Sequence, residues 1–185
     1  MNLEYCDKHG IEIVRRKSGG GCVYADRHNI MMSYITPETN VEETFRHYTQ
    51  LVANQLCKMG FNATPSGRND ITIDGRKISG NAYYLLDNRS IVHGTMLYDT
   101  DITNMLNAIT PSRAKLESHK VKSVEARIIT AAAIKPEMSL DNFHEALIKG
   151  LETSSFVLNN EQIRQVEELE QKYYDTAWIN HGKIS

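Results

Sequence analysis

Asp70-Ile71-Thr72-Ile73-Asp74-Gly75-Arg76-Lys77-Ile78-Ser79 is the stretch that decides the fold. Asp-Gly between two runs that alternate apolar and polar residues predicts a β-hairpin, because the favoured two-residue turn needs φ > 0 at both central positions. Such a loop pairs Ile73 with Arg76, Thr72 with Lys77, and Asp70 with Ser79. Alternation then places Asp70, Thr72, Lys77 and Ser79 on one face and Ile71, Ile73 and Ile78 on the other, toward a core. Asp70 and Lys77 become diagonal neighbours about 7–8 Å apart at Cβ, so one lysine can reach both the carboxylate and a ligand lying between them. The same pattern also reads as a solvent-facing hairpin carrying an ordinary ion pair, worth at most about 1 kcal/mol.

Working outward, Ile91 to Tyr98 predicts a further strand, interrupted by His93-Gly94-Thr95. A glycine inside a strand marks close approach of a ligand or another backbone, while His93 reads as a satisfied histidine at a sheet edge. Upstream, Val41, Phe45, Tyr48, Val52, Leu56 and Met59 recur at spacings of three and four, which predicts an amphipathic helix stopping at Gly60. Ile30 to Ile35 predicts a strand, as do Gly10 to Arg16 and Cys22 to Tyr24 on either side of Lys17-Ser18-Gly19-Gly20-Gly21. Downstream come a short helix near Ile102 to Ile109 and a strand over Lys122 to Ile129. Two closing helices follow, one behind a Ser139 cap with Leu140, Phe143, Leu147 and Leu151. The other lies behind a capping box at Asn159 and Gln162, with Ile163, Val166, Leu169 and Tyr173. The order predicts an α+β domain with a mixed, mainly antiparallel sheet flanked by helices.

The 185 residues carry 21 Lys plus Arg against 23 Asp plus Glu, a formal charge of −2. That balance gives no electrostatic footprint for nucleic acid or an anionic membrane. Charged residues at 24 % and hydrophobic ones at 41 % are ordinary globular usage. No apolar run approaches a membrane span, and the opening Met1-Asn2-Leu3-Glu4-Tyr5 lacks the pattern of a secretory signal, so the expected location is the cytoplasm. Cys6, Cys22 and Cys57 cannot all pair, and neither cysteines nor histidines fall at zinc spacing. Any metal is expected to arrive with a substrate. The loop Arg15-Arg16-Lys17-Ser18-Gly19-Gly20-Gly21 lets backbone N–H groups approach an anion beside cationic side chains. Taken alone, it reads as a pliable turn with solvated charges.

Together, Arg15 to Tyr24, Gly67-Arg68-Asn69-Asp70, Asp74 to Ala82 and His93-Gly94-Thr95 resemble the lipoate-protein ligase family. The resemblance continues at Val121-Lys122-Ser123-Val124, Arg127, Tyr174, Trp178 and Gly182. It implies the fold shared by biotin ligases and class II synthetase cores, and an ATP- and Mg²⁺-dependent reaction. Lipoate would be adenylated and its acyl group passed to a lysine of a lipoyl domain of a 2-oxoacid dehydrogenase E2 subunit, or of the glycine cleavage H protein.

Carried over residue by residue, the resemblance makes Lys77 the catalytic lysine. It assigns the ATP and lipoyl-adenylate site to Arg16, Ser18, Gly19, Gly20, Gly21, Cys22, Val23, Tyr24, Asn69, Asp70, Ser79, Gly80 and Thr95. Asn69 and Asp70 would orient nucleotide, magnesium or the lysine, Asp70 being the one protein contact expected for Mg²⁺. Attack of one anion on another needs such positioned cations and N–H donors.

The sequence departs from the family pattern at Ala25-Asp26, His28 and Glu125. Residues 1–185 are expected to form a catalytic domain without the family's usual N-terminal segment and C-terminal accessory domain, completed by another chain or segment. Two other readings stay open: a lipoyl or octanoyl transferase using a preformed acyl donor with Cys22 as nucleophile, and a non-catalytic binder of nucleotide or lipoyl domains.

Overall fold

A five-stranded antiparallel sheet in the order β1-β5-β4-β3-β2 organises the structure, a computed structural model that describes residues 1–67, 69–109 and 127–181. The strands are β1 (Asn29–Thr36), β2 (Ala63–Ser66), β3 (Asp70–Ile73), β4 (Arg76–Leu86) and β5 (Arg89–Leu97). The helices are α1 (Leu3–Lys8), α2 (Val41–Lys58), α3 (Ile102–Ile109), α4 (Ala131–Ile134), α5 (Leu140–Leu151), α6 (Asn160–Gln171) and α7 (Thr176–His181). A 3₁₀ turn at Lys172–Tyr174 joins α6 to α7.

The most regular helix, α2, starts where the Asn40 side chain accepts from the Glu43 N–H, and it ends before Gly60 at φ +83°. Lys135 Nζ donates to the Met59 carbonyl at 2.7 Å, completing that end. The apolar stripe of α2 (Tyr48, Val52, Ala53, Leu56) packs with Phe143 and Leu147 of α5 against Ile71, Ile73, Ile78, Val92 and Met96 of the sheet. One face of the sheet is thereby sealed. The other is left to form a cleft.

The predicted hairpin exists, with φ of +50° at Asp74 and +76° at Gly75, and it pairs Ile73 with Arg76 and Thr72 with Lys77. Beyond that point a bulge shifts the register, so Ser79 pairs with Ile71 and Gly80 with Asp70. The reason is packing. Ile78 and Ser79 are both fully buried, and two consecutive residues face one core only where an extra residue is inserted. The expected partnership of Asp70 with Ser79 is therefore replaced by Asp70 with Gly80. β4 also runs on to Leu86 and turns at Asp87-Asn88, both at positive φ, a second hairpin without the Asp-Gly signal of the first.

Gly10 to Arg16 and Cys22 to Tyr24 form no ladder, although their alternation predicts strands. Alternation supplies a face but not a partner, and among the described residues no strand pairs with either segment. Helix α6 carries its capping box as predicted, yet Ile163, Val166 and Leu169 are 43 %, 54 % and 52 % exposed, so helical periodicity there does not mark core. The expected strand over Lys122 to Ile129 lies largely outside the described residues. Its visible end, Ile128, makes an isolated parallel bridge with Lys77, beside a sheet whose five strands all pair antiparallel. Among the described residues no helix is long and apolar enough to cross a membrane.

Candidate active site

Lys77 sits at the bulge of β4 with its backbone held on both sides. Its N–H donates to the Arg127 carbonyl at 2.7 Å, and its carbonyl accepts from the Ile129 N–H at 2.9 Å. The ammonium lies 2.9 Å from Asp70 Oδ1, and both side chains are about one third exposed (40 % and 32 %), so the pair borders solvent in a cleft rather than being buried. A Cβ on Gly80 would come within 2.5 Å of Lys77 Cε and 2.6 Å of Nζ, so the lysine lies directly over that glycine. The register shift that moves Ser79 into the core is thus what seats Lys77 between Asp70 and a residue without a side chain.

Asn69 and Asn81 clamp the segment that carries Asp70. Asn69 Nδ2 donates to the Asn81 carbonyl at 2.5 Å, and Asn81 Nδ2 returns the bond to the Asn69 carbonyl at 2.8 Å. Asn81 is 6 % exposed, and Gly94 across the ladder leaves room for its amide.

The glycine loop closes the opposite wall. Arg16 donates from Nε to Ser18 Oγ at 3.0 Å, and from Nη2 to the carbonyls of Gly19 at 2.8 Å and Gly21 at 2.9 Å. His93 Nε2 lies 2.6 Å from the same Ser18 hydroxyl. Burial, and secondarily the Arg16 cation, hold the His93 imidazole below the usual histidine range. Burial and then the carboxylates of Asp26 and Asp101 push the Tyr24 phenol up. The entry to the loop is tied to the C-terminal helix. Trp178 Nε1 donates to the Arg15 carbonyl at 2.7 Å, and Arg15 Nε donates to the Ile179 carbonyl at 2.7 Å.

Between these walls lies a cleft of about 660 Å³. Of the expected site residues, Arg16, Gly20, Gly21, Cys22, Val23, Tyr24, Asn69, Asp70, Lys77, Gly80 and Thr95 line it. Ser18 and Gly19 stand behind the lining and hold Arg16 through their oxygens. Ser79 is a correction: it faces the core, fully buried, and its hydroxyl reaches Asn81 Oδ1 at 3.4 Å instead of the cleft. His93, Asn81 and Arg127 line the cleft without having been assigned there from sequence. The signal for His93 was its place beside a strand glycine, and for Asn81 its place next to Gly80. At the α3 end the wall turns apolar, with Met31, Leu97, Met105 and Ile109. Among the described residues no group of three or more His, Cys, Asp or Glu could hold a metal by itself.

Because Lys77 lies over Gly80, Gly80→Ala must push the amine aside while leaving the backbone in place. A long, partly exposed side chain yields easily, so the melting temperature should hardly move. Displacement by about an ångström should lower turnover about 10- to 100-fold. Steady-state kinetics beside a melting curve checks this, and full turnover would show that the amine's position is immaterial.

Residues 1–152 match the lipoyl protein ligase A/B catalytic domain. The chain is 34 % identical to lipoate–protein ligase 1 of Staphylococcus aureus over 99 % of its own length and 58 % of that protein. It spans little more than half the length of the curated relatives it matches. Among solved structures, a bipartite lipoate protein ligase of Thermoplasma acidophilum, described with its E2 lipoyl domain, superposes with a TM-score of 0.85. That pair is 26 % identical, over 96 % of this chain and 73 % of that one. Lipoate-protein ligase A bound with ATP gives a TM-score of 0.80 at 25 % identity, over 95 % and 74 % of the two chains. The chain belongs to the lipoyl protein ligase A/B catalytic domain family.

Proposed function

We propose that this chain activates lipoate with ATP and passes the lipoyl group to a protein lysine. The observation that carries the reading is the Lys77–Asp70 pair on the cleft floor, facing the Arg16-bearing glycine loop, with an apolar wall at one end. One cleft thus sets cationic side chains beside a surface suited to an aliphatic acyl chain. The names of the matched relatives and the ATP-bound neighbour support the same reading.

In this scheme a lipoate carboxylate oxygen attacks the α-phosphorus of ATP and pyrophosphate leaves. The Lys77 ammonium offsets the repulsion between the two anions and the charge that builds on the phosphoryl oxygens. The acceptor lysine, as free amine, then attacks the acyl carbonyl, AMP leaves, and the surplus proton passes to solvent. Lys77 makes no covalent bond at any stage. Mg²⁺ would accompany the nucleotide phosphates, with the Asp70 carboxylate as the available hard oxygen on the floor. A lone carboxylate fits a cation that keeps its phosphate and water ligands, and not a metal held by protein alone. Lipoyl domains of E2 subunits and H protein are the proposed acceptors, the former in line with the partner named for the Thermoplasma protein.

The deciding assay is lipoate-dependent exchange of pyrophosphate into ATP. Exchange that requires lipoate supports the reading, and its absence overturns it. An acyl thioester trapped on Cys22, which is exposed at the cleft, would redirect it to a transferase using a preformed acyl donor.

A further inference from the structure

The glycine loop is pinned at entry by Arg15 to α7 and at exit by the Asp26 N–H, which donates to Asn29 Oδ1 at 2.8 Å. Between the pins Ser18 is joined to the central sheet by His93, 75 residues away in sequence, at 2.6 Å. Ser18 Oγ also accepts from Arg16 Nε, which can only donate, so the serine's own proton is left to give to a ring nitrogen. The same Arg16 gathers the carbonyls of Gly19 and Gly21. A chain of contacts therefore runs from β5 through Ser18 and Arg16 into the backbone that lines the cleft.

We propose that His93 is a positioning residue: its neutral ring accepts the Ser18 hydroxyl proton and thereby latches the Arg16–glycine loop in its ligand-binding shape. On the ladders His93 stands beside Ser33 of β1 and Ala82 of β4, and on the loop it meets Ser18 and Arg16. Of these Arg16 alone is charged. Protonation of the ring would set a second cation beside Arg16 and remove the acceptor from Ser18. Burial and Arg16 both favour the neutral ring, so the latch is closed at neutral pH. It opens as pH falls through a value below the ordinary histidine range.

The inference rests on the ligase reading for its catalytic consequence but not for its structural one, and Arg15, Arg16 and Lys17 supply a readout that needs no activity. Trypsin cleavage after these residues is measured in the full chain and divided, at each pH, by cleavage of a peptide spanning residues 12–22. His93→Phe and Ser18→Ala should each speed cleavage about tenfold, the scale of one lost hydrogen bond. The double variant should add little to either. His93→Gln keeps an acceptor near Nε2 and cannot ionise. It should recover most of the protection and lose the acid step that the unsubstituted chain shows. Melting curves confirm that each variant is folded, and Ser18→Ala serves if His93→Phe is not.

In the exchange assay both latch variants should raise the KM for ATP about tenfold with less change in kcat. Equal trypsin rates in all chains, additive effects, or an acid step retained by His93→Gln would each overturn the latch. If the unsubstituted chain shows no lipoate-dependent exchange while the protease pattern is as described, the ligase reading fails and the latch stands.

Discussion

Lys77→Ala should lower lipoyl-adenylate formation by about 10²–10³, the scale of removing one preorganised donor from a developing anion, and leave the fold intact. Its ion pair with Asp70 borders solvent, with side chains 40 % and 32 % exposed, so losing it costs at most about 1 kcal/mol of stability. The backbone contacts that hold the bulge, to Arg127 and Ile129, use main-chain atoms that alanine also has. Loss of rate without loss of melting temperature is therefore the expected signature. Single-turnover detection of the adenylate measures it. Near-full adenylate formation by Lys77→Ala would mean that the amine on the cleft floor is not where charge is stabilised.

How far that site could be read without coordinates depends on which contacts are local. The Asp74-Gly75 turn requires positive φ at adjacent residues, so the first two pairs of its ladder follow from the chain itself. The bulge does not follow, because it is decided by whether Ile78 and Ser79 both fit under α2 and α5, a tertiary question. Alternation alone therefore puts Ser79 on the wrong face, while Gly80, next to it, is the residue under Lys77. His93 shows the same limit. A histidine on a strand carries no local sign that a serine 75 residues earlier will lie 2.6 Å away. The segments on either side of the glycine loop mark the opposite failure, since strand-like alternation over Gly10 to Arg16 is real but finds no ladder partner among the described residues. Of the helices, α2, α3, α5 and α6 were legible, whereas the short α1, α4 and α7 were not. Ser139 and Asn159, the caps read from the sequence, each accept from a backbone N–H three residues on, an interaction entirely within the local chain.

Gly94→Ala should act in the reverse manner to Gly80→Ala, on the fold first and on the site through it. A Cβ at Gly94 would lie 2.6 Å from the Gly80 carbonyl oxygen and 2.0 Å from Asn81 Oδ1. The carbonyl belongs to the neighbouring strand and cannot swing away. The amide is held by its bond to the Asn69 carbonyl and is nearly fully buried. Relief therefore requires either spreading β4 from β5 in the middle of the sheet or breaking the Asn69–Asn81 clamp. Overpacking of this kind costs about 1–3 kcal/mol, and the backbone contact puts this position at about 3 kcal/mol. For a chain of this size that is a fall in melting temperature of about 6–12 °C. The Asn69 loop leads into Asp70, so turnover should fall with it even at temperatures where the variant is folded. Asn81→Ala separates the two causes. It breaks the clamp without crowding the strands, so it should reproduce most of the kinetic loss of Gly94→Ala with a smaller fall in melting temperature. If Gly94→Ala melts normally, the strands are not packed as closely as the distances require. If it melts low but Asn81→Ala turns over at full rate, the clamp does not position Asp70, and the kinetic loss comes from strand separation alone.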